Sequence, residues 1–444
     1  MKLSIYTLLF EKDKQYFLYN SETGFFSTVS EEFYQMLFDA AFSDMSIETL
    51  ALLKKKKLVV DDGHEYEYYN EAKLRFLSNI GVTDSLNLII APTTDCNFQC
   101  PYCFEGEKPS LYMSDEIVGH LISFINGYSQ VTKLNITWYG GEPLLAFRRI
   151  KNIIQRIQKE CKAKINHQSI ISNGYLLSPQ MINQMLEYGM NDIQISLDGD
   201  ERHHNETRCL KNFRKGTYSS IVKNIDSLAN LTPDNFQINL RINVNKGNEE
   251  DFAVLYKKFS EKYSTGKIFV YPGFIRESSK DGCRMCFKSL FNGYRYDFYK
   301  NIADKGLPVD FFPRIELHKG CMVNENSSFV IGPQGELYKC WNDFNSPDKT
   351  IGNIKDKNLS SPSLVSRYLF DTSIFNQPEC NECNNCLLFP VCNGGCQWFR
   401  YQNMFNRGNY KVCTFMKDKN ILKECLLRYI TGRRPDLDKC IQAV

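Results

Sequence analysis

The sequence has no apolar run approaching the ~18 residues needed to span a bilayer, so a membrane partner is not expected. It shows no large excess of charge of one sign. The net charge is only +3 over 444 residues, which gives no case for a nucleic-acid or other polyanionic partner. Repeats and low-complexity tracts are absent. Leu3 to Phe10 is apolar, but its basic flank is weak, it lacks a small-residue cleavage site, and Glu11-Lys12-Asp13-Lys14 follows at once. It therefore reads as a strand and not as a signal peptide. The short basic run Lys54 to Lys57 reads as a solvated helix end. What the chain has in excess is cysteine, 17 in all, gathered into C-x2-C groups. That clustering argues for metal in a reducing cytoplasm over disulfides. Hydrophobic residues make up 43%, ample for packed cores, and the length suits roughly three domains.

The densest cysteine stretch is Asp95-Cys96-Asn97-Phe98-Gln99-Cys100-Pro101-Tyr102-Cys103, a C-x3-C-x2-C loop. Three thiolates so close can converge only if the backbone loops around something, and a 4Fe–4S cluster has the right size and ligand preference. Three cysteines satisfy three irons and leave the fourth open to a substrate-like molecule. The competing readings are three buried thiols or a zinc loop, although zinc more often takes C-x2-C pairs and a fourth ligand.

From Ser85 to about Gly273 a strand-then-helix pattern occurs six times. Strand-like runs are Leu86–Ala91, Leu134–Tyr139, Gln168–Ile171, Ile193–Leu197, Gln237–Val244 and Ile268–Tyr271. Ser178-Pro179 supplies a cap and a first-turn proline for one of the helices, and Gly189 follows it. Such alternation predicts a parallel sheet with active residues at the carboxyl ends of its strands. Three further stretches fall there: Gly140-Gly141-Glu142-Pro143, Ser172-Asn173-Gly174, and Ser196-Leu197-Asp198-Gly199 with Arg208 beyond it.

The cysteine loop after the first strand and the Gly-Gly-Glu-Pro stretch after the second resemble the radical SAM superfamily. The resemblance implies a partial (β/α)6 barrel. It also implies that the open iron chelates S-adenosylmethionine, which is cleaved reductively to a 5′-deoxyadenosyl radical. By the same resemblance Gly140, Gly141, Glu142 and Pro143 bind the SAM amino group. The glycines allow close approach of backbone to ligand. Ser172, Ser196 and Arg208 meet its ribose or carboxylate. Tyr102, Asp198 and Asn243 join the cofactor-binding candidates, with Arg241 a weaker one, and Asp198 reads equally well as a turn former. No catalytic acid or base is assigned. His203-His204 invites a metal reading, but adjacent histidines diverge, so both are expected on the surface.

The tail carries a second pattern. Cys321 is followed after 13 residues by Gly335 and four more to Cys340; then come Cys383-x2-Cys386-x5-Cys392-x3-Cys396 and, sixteen residues on, Cys413. This is similar to the SPASM domain. It implies two auxiliary 4Fe–4S clusters, three in total with the first. The outer is held by Cys383, Cys386, Cys392 and Cys413, the inner by Cys321, Cys340 and Cys396. The inner set is one ligand short. Cys380, Cys283 or Cys286 could complete it, or it could stay open to a substrate thiolate. The rival is a pair of zinc sites.

Residues 1 to about 75 read as a small separate module of strands and two capped helices, with Ser30 and Ser46 as caps. The pattern resembles a winged-helix-like RiPP recognition element, which holds a leader peptide against a strand edge; the alternative is a structural cap on the barrel. The expected division is residues 1–80, a radical SAM core over 81–285, and the SPASM domain over 286–444. The whole resembles peptide maturases that act on ribosomally made precursors. Expected partners are a precursor peptide with its leader and an electron donor such as flavodoxin or ferredoxin. A thioether cross-link is the favoured product, ahead of carbon–carbon or carbon–oxygen cross-links and epimerisation. Sulfatase maturation to formylglycine is disfavoured because Trp341, not the aspartate of that subfamily, follows Cys340; Asp343 lies two further on. A non-catalytic electron carrier is disfavoured by the intact Gly-Gly-Glu-Pro stretch.

Overall fold

The computed structural model describes residues 1–81, 84–103, 105–106, 109–212, 215–263, 266–276, 287, 292–315, 321–356, 358–375 and 381–433. At its centre are six parallel strands: β1 (Ser85–Ile90), β2 (Lys133–Trp138), β3 (Lys164–Ser172), β4 (Asp192–Leu197), β5 (Gln237–Val244) and β6 (Ile268–Phe274). Their residues alternate. Leu86, Leu88, Ile90, Leu134, Ile136, Trp138, Ile193, Ile195, Ile238, Leu240 and Ile242 are all buried in one core. The polar residues between them point to the other face, as a period of two requires. There Asn135 donates to Asn87 (2.8 Å), Thr137 meets Ser169 (2.9 Å) and Tyr271 donates to Gln194 (2.6 Å). The helices cover the apolar side, and on the other face Ile89, Tyr139, Val330, Tyr338 and Phe344 form a smaller buried cluster.

Those helices are α1 (Asp115–Gly127), α2 (Phe147–Glu160), α3 (Pro179–Glu187), α4 (Glu201–Thr207), α5 (Tyr218–Leu231) and α6 (Asp251–Lys262). Ser178 caps α3 by accepting from Met181 N at 3.2 Å. The short α4 went unanticipated, being too brief to display an apolar period.

The sheet does not end with the six repeats. Strands β7 (Ser328–Ile331), β8 (Glu336–Tyr338) and β9 (Gly352–Asn353), all from the tail, continue it in the order β6-β5-β4-β3-β2-β1-β7-β8-β9. β7 pairs parallel with β1 and the last two run antiparallel. The tail is thus an extension of the barrel sheet.

The first 80 residues also differ from a free-standing module. Strands Thr7–Lys12, Gln15–Asn20 and Phe25–Val29 form one small antiparallel sheet, and Lys2–Leu3 pairs with Val59–Val60. Ser30 and Ser46 cap their helices as expected. Helix His64–Ile80 follows. Its Ala72, Phe76 and Ile80 pack with Tyr6 against Leu369, Ile374, Phe375 and Phe389 of the tail. Leu8, Phe10, Phe17 and Tyr19 pack on Leu388, Leu422 and Leu426. Two shared apolar clusters weld the chain's ends together. Replacing Phe76 by Ala should therefore cost about 3–5 kcal/mol of unfolding free energy, read by urea denaturation. A loss below about 1 kcal/mol, far short of a core truncation, would show that this contact carries no stability.

Candidate active site

The cysteine loop leaves the carboxyl end of β1 and is pinned from several sides. Thr93 Oγ1 donates to Leu111 O at 2.7 Å. The Asp95 carboxylate accepts from Cys96 N (3.0 Å), Ser110 Oγ (2.8 Å) and Tyr112 Oη (2.9 Å). The end of β2 presses on the same segment. Gly141 N donates to Thr93 O and Glu142 N to Asp95 O, at 3.2 and 2.8 Å. A Cβ at Gly141 would lie 2.1 Å from Asp95 O; one at Gly140, where φ is +113°, would lie 2.2 Å from Thr93 O. Both glycines lie against the backbone leading into the cysteine loop.

Glu142 is fully buried. Its carboxylate accepts from Ser172 Oγ (2.8 Å), Asn173 N (2.7 Å) and Leu144 N (3.1 Å). Burial pushes its carboxyl up to about 6 against those donors. Glu142 and Ser172 are thus brought together, joining the ends of β2 and β3. Pro143, also buried, opens the turn Pro143–Ala146 that leads into α2.

A second buried carboxylate, Asp198, ties the loop to the other half of the barrel. Tyr102 Oη and Thr207 Oγ1 donate to one oxygen, Asn243 Nδ2 to the other at 2.9 Å. Arg208 NH1 donates to Tyr102 Oη at 3.3 Å, and its guanidinium stands 5.6 Å from the centre of the Phe98 ring. Burial, then the adjacent Asp198, holds the Tyr102 phenol well above its ordinary value. Ser196 is half-buried on β4, in register with Arg241. Arg241 donates from Nε to Asn243 Oδ1 at 3.0 Å.

The expectation that both histidines of the 203–204 pair lie on the surface is corrected. They do diverge, but His204 is fully buried. Its Nε2 meets Thr217 Oγ1 at 3.0 Å and its Nδ1 accepts from Asp198 N at 3.3 Å. His203 pairs with Asp251 at 2.6 Å. Asn97 is a residue missed by sequence reasoning: its Oδ1 accepts from Asn173 Nδ2 at 2.7 Å. Its place inside the C-x3-C loop was the available signal.

The tail thiols fall into two groups. Cys321, Cys340 and Cys396 are electrostatic neighbours of one another; Cys386 and Cys392 are neighbours of Cys413, and Cys386 of Cys383. Cys380, Cys283 and Cys286 lie outside the described residues. A common local geometry links the three cysteine regions. The sulfur accepts from the backbone N–H two residues on in Cys96←Phe98 (3.4 Å) and Cys392←Gly394 (3.3 Å). At Cys340 the donor is the side chain of the residue two on, Asn342 Nδ2 at 3.7 Å. Asp343 is buried near Cys340, and accepts from Tyr368 Oη (2.6 Å) and Trp398 Nε1 (3.1 Å). Burial pushes its carboxyl up to about 6.

The donor sets suit iron–sulfur clusters. Burial pushes the Cys100 thiol up to about 12 and the Cys321 thiol up to about 11, so thiolates there need a cationic partner. Amide N–H groups aimed at the sulfurs stabilise anionic sulfur. Among the described residues no three cysteine sulfurs lie within 4.8 Å of one another, as a single tetrahedral zinc ion would require. Beside the first loop, Asn97 Nδ2 and Arg208 Nε are buried donors without an acceptor among the described residues, suited to an anionic group such as a carboxylate.

Residues 90–259 match the radical SAM superfamily. A radical SAM cyclopropyl synthase, TigE of Paramaledivibacter caminithermalis, is 23% identical over 77% of this chain and 74% of its own. A cysteine-type anaerobic sulfatase-maturating enzyme of Clostridium novyi is 26% identical over 76% of this chain and 96% of its own. Among solved structures, the sulfatase maturase anSMEcpe with bound AdoMet superposes with a TM-score of 0.60 at 19% identity, over 78% of this chain and 98% of that one. Streptococcus suis SuiB bound to precursor peptide SuiA superposes with a TM-score of 0.51 at 14% identity, over 93% and 99%. Residues 90–259 carry the radical SAM match, and the chain is related to enzymes that include peptide and sulfatase maturases. A radical SAM domain implies a 4Fe–4S cluster and S-adenosylmethionine. No helix among the described residues is long and apolar enough to cross a membrane.

Two predictions follow from this geometry. Gly141→Ala drives a methyl group into Asp95 O and should displace the loop; anaerobically reconstituted protein should lose about four irons, one cluster's worth, and stop cleaving SAM. Unchanged iron and cleavage would show that the contact is not needed. His204, buried, is held down to about 2 from 6.5, so it stays neutral when folded and is protonated only on unfolding at lower pH. Its contribution is complete above pH 6.5 and falls by about 1.4 kcal/mol per pH unit below it. The acid slope of unfolding free energy should therefore be shallower in His204→Gln, by about one proton, than in the parent protein.

Proposed function

We propose that this enzyme modifies a side chain of a ribosomally made precursor peptide and installs a cross-link, with a thioether favoured. Residues 1–80 act as a recognition element for the leader, residues 81–285 as the radical SAM core, and residues 286–444 as a SPASM domain. Cys96, Cys100 and Cys103 hold the SAM-binding cluster. Cys321, Cys340 and Cys396 hold an inner auxiliary cluster, and Cys383, Cys386, Cys392 and Cys413 an outer one. In this superfamily the bound cofactors supply a carbon radical that removes a hydrogen atom from the substrate. The chain's own residues orient and enclose. Glu142 and Ser172 brace the ends of β2 and β3. Asp198, Tyr102 and Asn243 close the floor beneath Arg208. Asn97 and Arg208 offer free donors to the SAM carboxylate. An external one-electron donor of the flavodoxin or ferredoxin class supplies reducing equivalents.

The observation that carries this reading is the grouping of the tail thiols into a set of three and a set of four beside the barrel sheet. Support for a peptide substrate comes from the alignment of 93% of this chain with SuiB bound to SuiA, at the level of fold. A thioether is favoured because the inner set, among the described residues, is one short of four, which suits capture of a substrate thiolate.

Formylglycine formation is the second reading. It is favoured by the sulfatase-maturating relatives, 25–26% identical over about three quarters of the chain, and by the buried carboxyl of Asp343 near Cys340. Against it, both Asp343 oxygens are already engaged by Tyr368 and Trp398, and the Trp341 ring stands edge-on to Tyr139, 5.2 Å between centres. One anaerobic assay separates the two. Enzyme, SAM and reductant are incubated with the precursor peptide encoded beside the gene and, separately, with a sulfatase-type cysteine or serine peptide. A thioether gives a product lighter by one H2 whose cysteine resists alkylation. Formylglycine gives an aldehyde that a hydrazine reagent traps. Deoxyadenosine formation with neither peptide changed would overturn the maturase reading.

A further inference from the structure

Beyond the carboxyl end of β6, Arg276 crosses from the barrel to the tail. Its backbone is fixed on both sides: Ile275 N donates to Val244 O, Phe287 N donates to Ile275 O, both at 2.9 Å, and Arg276 bridges to Phe287. The guanidinium lies over the Phe399 ring, 4.5 Å from its centre. It also lies within electrostatic reach of the Cys396 and Cys340 sulfurs. Phe399 sits on helix Gln397–Phe405, whose N-terminal cap is Cys396. One arginine of the barrel therefore stacks on the first turn of the helix that Cys396 caps, with its charge within reach of two thiols of the inner group.

No carboxylate of the described residues pairs with this guanidinium. Arg241, its other charged neighbour, is of the same sign. A largely enclosed cation next to a second cation is costly unless an anion offsets it. Three thiolates around iron are such an anion. A guanidinium also cannot lose its proton and offers a rigid fork of donors, so its charge is permanent. Hydrogen bonds to cluster sulfurs and nearby positive charge favour the reduced, more negative form of a cluster.

We propose that Arg276 is a positioning residue for the inner auxiliary cluster, holding Cys396 in place and raising the cluster's reduction potential. This rests on the reading of Cys321, Cys340 and Cys396 as cluster ligands. It goes further by assigning a barrel residue to a tail cofactor, which makes β6 the link between the two. The Phe399 ring holds the guanidinium against the helix that Cys396 caps, as cation–π contacts do for arginine.

The test uses the full chain, reconstituted anaerobically, with iron content, EPR and an EPR-monitored redox titration as readouts. Three proteins are compared: the parent, Arg276→Lys and Arg276→Met. In Arg276→Met the inner-cluster signal should persist with altered g values and a potential shifted negative. In Arg276→Lys, which keeps the charge but not the fork, the shift should be smaller. Loss of about four irons, one cluster, from Arg276→Met but not from Arg276→Lys also supports the proposal, since charge and not the fold is then what the cluster needs. If the inner signal is present with its g values and potential unmoved in both variants, this inference fails while the cluster reading stands. If Cys396→Ala leaves the parent's iron content and spectra unchanged, the cluster reading fails and takes the inference with it.

Discussion

The site depends on one buried charge, the carboxylate of Asp198. A buried carboxylate is costly unless both of its oxygens find donors. Asp198 meets that demand from three separate parts of the chain: Tyr102 of the cysteine loop, Thr207 of α4, and Asn243 of β5. Its backbone is held as well, since Asp198 N donates to His204 Nδ1 and Asn248 Nδ2 donates to Asp198 O. The three elements cannot drift apart without stranding the charge. Arg208 then sits above the Tyr102 phenol with its own charge balanced partly by Asp198, 3.9 Å away, and with Nε left over. The arrangement converts a solvation requirement into the position of a loop.

The opposite side of the loop is fixed by sterics. Gly140 and Gly141 let the end of β2 lie on the backbone of 93–95 at a distance no Cβ tolerates. Glu142 follows in a buried pocket built by Ser172 and Asn173. The cysteine loop is thus clamped between a glycine contact and a carboxylate contact, each formed by residues at the carboxyl ends of parallel strands. That is where the strand-end rule for such sheets puts functional groups, and here the groups also support one another.

Much of this was readable because period and spacing are local. The alternation in Ser85–Ile90, Lys133–Trp138, Asp192–Leu197 and Gln237–Val244 announces strands with one apolar face, and Ser178-Pro179 announces a helix start. The residues at strand ends could be named for the same reason. What spacing cannot reveal is direction. Glu142 could be named, but not that Ser172 and Asn173 already satisfy it. His204 could be named, but adjacent histidines give no sign of which one turns inward. The seventh parallel strand, Ser328–Ile331, was missed because its partner β1 lies more than two hundred residues away, and a four-residue run has too little period to register. The docking of the first 80 residues on the tail was missed likewise. Phe76, Phe375 and Phe389 are ordinary apolar residues in sequence and become a cluster only in space.

That added strand has a consequence for how the two sulfur regions are spaced. β1 ends at Ile90, and the loop carrying Cys96 follows it. β7 lies directly beside β1 in register, Ile331 opposite Ile90, and Ala91 N donates to Ile331 O at 2.9 Å. β8 returns antiparallel along β7, with Tyr338 opposite Val330, and Cys340 comes two residues after its end. The Cys96 loop and the Cys340 segment therefore leave strands of one hydrogen-bonded sheet that are separated by β7, and β8 runs opposite to β1. Their separation is set by strand spacing and register, which are stiff, and not by a linker, which would be soft.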